Sequence, residues 1–203
     1  MSIDLEISFH TLSKNFRDLL DLQEKYLKNR QKISYLNFGD YNKYILELTR
    51  LLHNYLASYS SFVDCMRTSR ESFGGPEFEK EFAKQIEEKR IEERTRFIKD
   101  LRNFSQHKRL PIVGFRVSIV YLKGNESTKP DQVVKDSPSL RVNDLLEWRG
   151  WTSFSKQFLN NQPKELPIMP LIVECQNAED ELYTWLLQKK EEIKKNKIIK
   201  DAN

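Results

Sequence analysis

The chain is poor in the residues that build barrels, knots and metal centres. Only 6 glycines and 7 prolines occur in 203 residues, too few for the many tight turns of a sandwich or barrel. The 2 cysteines, Cys65 and Cys175, form no Cys-x-x-Cys pair and stand far apart. They read as reduced thiols, with neither a disulfide nor a zinc site expected. The 3 histidines, His10, His53 and His107, show no His-x-x-x-His spacing, so no metal and no cofactor are expected. No glycine-rich phosphate loop or nucleophile elbow appears, which sets aside NTPase and α/β-hydrolase chemistry. No apolar run approaches membrane-spanning length, and the N-terminus has no secretory pattern. A cytoplasmic protein with no membrane partner is the expectation.

What is present is charge and helical period. Charged residues make up 32% of the chain and the net charge is +4, mild enough to permit an anionic partner without demanding one. Leu12, Phe16, Leu19, Leu20, Tyr26 and Leu27 recur at helical spacing, predicting a leading helix over 12–29. Asn37-Phe38-Gly39 interrupts the pattern, and Asp40 is placed to cap a longer helix. That helix carries the cleanest stripe of the chain, including Tyr44, Leu48, Leu52, Tyr55, Leu56, Tyr59, Phe62 and Met66. Phe73-Gly74-Gly75-Pro76 ends it and opens a third, charged helix over 77–106, so that 40–107 reads as a long antiparallel hairpin.

Past Pro111 the pattern changes from helix to strand. Val113, Phe115, Val117, Ile119 and Tyr121 alternate, opening a β insertion over 112–142 with a turn begun by Gly124-Asn125. Its partner strand falls within 132–135 or 139–142. Asn143 would cap a helix bearing Leu145, Trp148, Trp151, Phe154 and Phe158, and 160–170 reads as a loop. A last helix over 171–197 completes a C-terminal pair. The expected fold is mainly α: one domain, 1–203, built as an antiparallel bundle of four long helices plus the leading helix and a small β-hairpin insertion.

Chemistry concentrates in Arg102-Asn103-Phe104-Ser105-Gln106-His107, at the end of the third helix. A guanidinium holds phosphate in a bidentate fork, and an imidazole exchanges protons near neutral pH. RNA cleavage needs the 2′-hydroxyl deprotonated, the phosphorane stabilised and the leaving 5′-oxygen protonated. His107 suits either proton step, Arg102 the charge, and Asn103 the orientation of either. Lys108 and Arg109 would grip flanking phosphates. On an undisturbed helix, positions five apart point about 140° from each other, so the helix must end between Arg102 and His107 or a second chain must complete the site. Pairing the hairpin about Gly74-Gly75 sets Arg102 opposite Glu47, with Arg50 beside it, and a Glu47–Arg102 ion pair is the structural alternative. Asn54, on the side of Glu47, is a further candidate for the cleft. His53 lies off the apolar stripe, where a solvated or capping role is expected. His10 precedes the first helix without a partner. The tryptophans Trp148, Trp151 and Trp185 fall on apolar faces and read as core.

The hairpin with Arg-Asn-x-x-x-His near its end, the stretch from Leu51-Leu52-His53-Asn54 to Ser58, and Leu101 through Leu110-Pro111 together resemble the HEPN superfamily. That resemblance implies a helical bundle that homodimerises and sets two motifs side by side in a cleft. It implies a metal-independent endoribonuclease of a toxin–antitoxin or antiviral defence system, acting on single-stranded RNA or tRNA, with an antitoxin or activator protein as a further partner. The alternative it carries is a catalytically silent module that binds protein or nucleic acid. In the branch controlled by tyrosine adenylylation a tyrosine follows the histidine by two residues. Here that residue is Arg109, which puts this form of control in doubt.

Overall fold

The computed structural model describes residues 3–29, 38–73, 75–89, 91–111, 113–121 and 132–201. Asn37, Gly74 and the turn at Gly124-Asn125 lie outside them. The fold is mainly α, a bundle with a small antiparallel sheet at one end.

The leading helix α1 spans Ile3–Asn29, starting well before residue 12, so His10 lies inside it. Leu5 explains the extension. With Leu12, Leu19 and Tyr26 it forms a seven-residue repeat, buried at each position, and this seam faces α2 (Phe38–Phe73). Ring contacts fix the pairing: Phe9 meets Phe62 at 5.4 Å, Phe16 meets Tyr55 at 6.3 Å, and Tyr26 stacks on Tyr44 at 4.3 Å. Partner numbers fall along α2 as they rise along α1, so the two helices are antiparallel. Asp40 sits inside the first turn of α2 rather than capping it. Its carboxylate is still favourable there, beside the positive end of the helix dipole.

The expected third helix is two, α3 (Pro76–Lys89) and α4 (Ile91–His107). From Ile86 to Phe97 the segment is dominated by Glu, Lys and Arg, and its halves serve different neighbours. Gly75 makes the turn into α3 with φ 104°, a left-handed conformation suited to glycine. Phe78 and Phe82 then pack on Trp185, and Glu81 pairs with Lys189 at 2.7 Å. In α4, Phe97 and Phe104 stack on Trp151 at 5.9 and 5.5 Å.

Strand β1 (Val113–Tyr121) pairs antiparallel with β2 (Gln132–Arg141), from Val113 opposite Leu140 to Tyr121 opposite Gln132. One strand thus covers nearly both windows considered for the partner. Within 160–170 there is a third strand, β3 (Glu165–Pro167), on the other edge of β2. Three residues are too few to show a period. The helix expected from Asn143 is also divided, into α5 (Val142–Leu146) and α6 (Ser153–Asn160). Thr152 starts α6 by accepting from the Ser155 N–H, while Trp151 Nε1 donates to the Leu145 carbonyl at 2.7 Å. Helix α7 runs Ile168–Asp201 and takes in Pro170, since first-turn N–H groups have no helical partner.

The direction of α4 follows from connectivity. Its end leads into β1, and β3 across the sheet leads directly into α7, so α4 finishes where α7 begins and runs opposite to it. Helix α7 follows the direction of α2, through Tyr55 Oη to the Ile172 carbonyl and Tyr59 Oη to Glu179. Helix α4 is therefore antiparallel to α2, tied to it by Tyr59 Oη and Thr95 Oγ1 at 3.1 Å. One continuous apolar core fills the space between, with Tyr55, Tyr59, Phe62, Phe97 and Phe104 fully buried and Trp148 and Trp185 packed on its edge.

Candidate functional site

Helix α4 stays regular through the whole motif. It reaches His107, and the Lys108 and Arg109 N–H groups both close on the Phe104 carbonyl, at 2.9 and 3.3 Å. The helix therefore does not end between Arg102 and His107, and the two side chains leave it on different sides. Phe104 and Ser105 between them are buried, and Phe104 wedges against Trp148 and Trp151. A register fixed by these rings leaves no room for α4 to rotate and bring the pair together.

Arg102 is half-buried. Its Nη1 donates to Asn103 Oδ1 at 3.3 Å, and its Nε is buried without a hydrogen-bond partner. Among the described residues no carboxylate pairs with it. The residue expected to neutralise it is occupied elsewhere: Glu47 accepts from Arg50 Nε at 2.8 Å and Nη2 at 2.5 Å. That hydrogen bond lowers the Glu47 carboxyl from its ordinary range, with partial burial opposing. Glu47 and Arg50 line a groove against α1 with Asp18, Asp21 and Lys25, about 290 Å³ in volume. Farther along α2, the backbone carbonyl of Asn54 accepts from Asn15 Nδ2 of α1 at 3.3 Å. Glu47 and Arg50 thus pair with each other rather than with Arg102. Simple pairing about Gly74-Gly75 misplaced them because α3 leaves α2 to pack on α7.

At the end of α4, His107 and Lys108 are exposed. Arg109 is partly committed. Its Nη2 lies 3.4 Å from Glu147 Oε2 and from the Asp144 carbonyl, a long contact that ties the helix end to α5. Only Lys108 of the two flanking cations is clear of a partner among the described residues.

Two features of the α2–α4–α7 seam were not anticipated. The first is Glu179, fully buried, which accepts from Tyr59 Oη at 2.7 Å on one oxygen and has no partner on the other. Burial pushes its carboxyl up to about 7, against the lowering effect of the Tyr59 bond and with a further push from Asp180. Burial raises Tyr59 as well, and Glu179 adds to it. The signal was readable: Glu179 stands four residues after Cys175 and three before Leu182, a carboxyl on the apolar face of α7. The second is His53. It is half-buried, with its Nδ1 buried and unpartnered, where a solvated or capping role was expected. Ser60, seven residues on, also has a buried hydroxyl without a partner. Ser60 lines a small cleft between α2 and α4 with Tyr59, Val63, Asp64, Thr95 and Lys99, about 10 Å³ and sufficient for one water.

Compared with family models, curated proteins and solved structures, the chain matches none. Among the described residues no helix is long and apolar enough to cross a membrane. Nor do three His, Cys, Asp or Glu side chains gather there as metal ligands would. Neither cysteine is in a disulfide; Cys175 lies in the core and Cys65 at its edge.

Proposed function

We propose that this chain is an HEPN-like endoribonuclease that cleaves RNA without a metal, by 2′-hydroxyl attack, in a site shared between two copies. The observation that carries the reading is Arg102: a half-buried guanidinium held by Asn103, with no counterion among the described residues. A cation taken partly out of water without an opposite charge is costly to the fold, and a bound anion relieves that cost. The bidentate geometry of guanidinium matches a phosphodiester. His107 supplies proton transfer and Lys108 a flanking phosphate contact. Because Arg102 and His107 diverge on one unbroken helix, the arginine of one copy works with the histidine of the other. Such exchange follows from the two-fold symmetry of a homodimer.

A second reading keeps the same residues for binding alone. The engagement of Arg109 with Glu147 favours it, since a cation tied into the fold is less available to a moving substrate. Incubating the protein with total RNA in EDTA, beside His107→Ala, separates the two. Cleavage lost in the variant supports the nuclease. RNA bound but never cut by the parent supports the binding module.

A further inference from the structure

We propose that His53, rather than His107, is the imidazole that shares a bound phosphate with Arg102 within one chain. This rests on the ribonuclease reading and extends it. Two imidazoles, His53 of one copy and His107 of the other, would then flank the scissile phosphodiester.

The argument is one of register. Ser60 of α2 and Thr95 of α4 line the same cleft. Seven residues are close to two helical turns and return to the same face within about 20°. Stepping back seven from Ser60 on α2 reaches His53. Stepping forward seven from Thr95 on α4 reaches Arg102. The helices are antiparallel, so both steps move the same way down the seam and arrive at one level. Each residue brings a buried nitrogen with no partner to that level, Nδ1 on His53 and Nε on Arg102. Two unmet nitrogens facing one seam can both donate to a phosphate oxygen, His53 doing so in the form that carries its hydrogen on Nδ1. His107, about 140° around α4 from Arg102, faces away from it.

Two imidazoles also complete the proton balance. One takes the 2′-hydroxyl proton as the O2′–P bond forms. The other gives a proton to O5′ as the P–O5′ bond breaks, leaving a 2′,3′-cyclic phosphate and a 5′-hydroxyl. No oxidant, reductant or metal enters the step.

The test follows the histidine ring signals by NMR in the full chain. The probe is a short mixed-sequence RNA made uncleavable by 2′-O-methylation, with saturation monitored by fluorescence anisotropy. His10→Gln, His53→Asn and His107→Asn assign the three rings. The His53 and His107 rings should shift together along the titration while His10 stays, and Arg102→Ala should abolish the His53 shift. In cleavage assays, His53→Asn should cut RNA at least about 10²-fold more slowly, the scale of a lost proton-transfer group. A His107 shift without a His53 shift, or full activity in His53→Asn, overturns the inference and leaves the ribonuclease reading standing. An RNA that fails to bind, or that moves neither ring at saturation, overturns both.

Discussion

Tyr59 on α2 donates its phenolic hydrogen to Glu179 on α7 at 2.7 Å, in a core where the second carboxyl oxygen has no partner. An ionised carboxylate there would be poorly served, and burial accordingly raises the group to about 7. A raised folded value means that the folded state holds the proton more tightly than the unfolded chain. The stabilisation is full below the ordinary carboxylate range and is lost as pH rises through about 7.

Folding stability should therefore fall between pH 5 and pH 8, by on the order of 3 kcal/mol from this group, and the thermal midpoint should fall with it. Glu179→Gln keeps an acceptor for Tyr59 and removes the titration. Its melting temperature should be nearly flat over the same interval. A parent slope of the opposite sign, or a slope surviving in the variant, would place the titrating group elsewhere.

Thr152 offers a separate test of how α4 is held to α6. It caps α6, and its hydroxyl donates to the buried Asp100 Oδ2 at 2.6 Å. Thr152→Val loses the cap and leaves Asp100 short of a donor, costing about 1–3 kcal/mol in chemical denaturation. A change near zero would mean that the Asp100 contact contributes nothing to the α4 position.

Arg102→Ala should separate binding from folding. Glu47 is satisfied by Arg50, so no carboxylate is orphaned when Arg102 is removed. Stability should change by less than about 1 kcal/mol, while RNA affinity and cleavage both drop. His107→Ala should instead still bind RNA and cut it about 10²–10⁴-fold more slowly. Filter binding, turnover and melting curves on both variants check this. Early melting with normal cleavage in both would make the motif structural.

Much of the bundle was legible because long amphipathic helices announce themselves. The Tyr44-to-Met66 stripe gave α2, whose start lies two residues before the expected cap Asp40, and the alternation at Val113–Tyr121 gave β1. Local signals failed where tertiary contacts decide. Leu5 joins α1 through a seven-residue seam whose partner is α2, and Trp151 breaks the α5–α6 segment by bonding back to Leu145. The motif was found by its residue types, but its neighbours were not. Placing Glu47 beside Arg102 required α3 to follow α2, and α3 packs on Trp185 instead. His53 was discounted because it lies off the apolar stripe, although that side of α2 faces α4.

The shared site is tested most directly by mixing subunits in EDTA. Arg102→Ala and His107→Ala are each expected to be nearly inactive alone. Combined and allowed to exchange, half of the dimers pair one variant with the other, and each of these restores one complete site of two. The mixture should recover about a quarter of the parent activity, with 2′,3′-cyclic phosphate ends on the products. No recovery from the mixture, or full parent activity in a monomer, would contradict a site built from two copies.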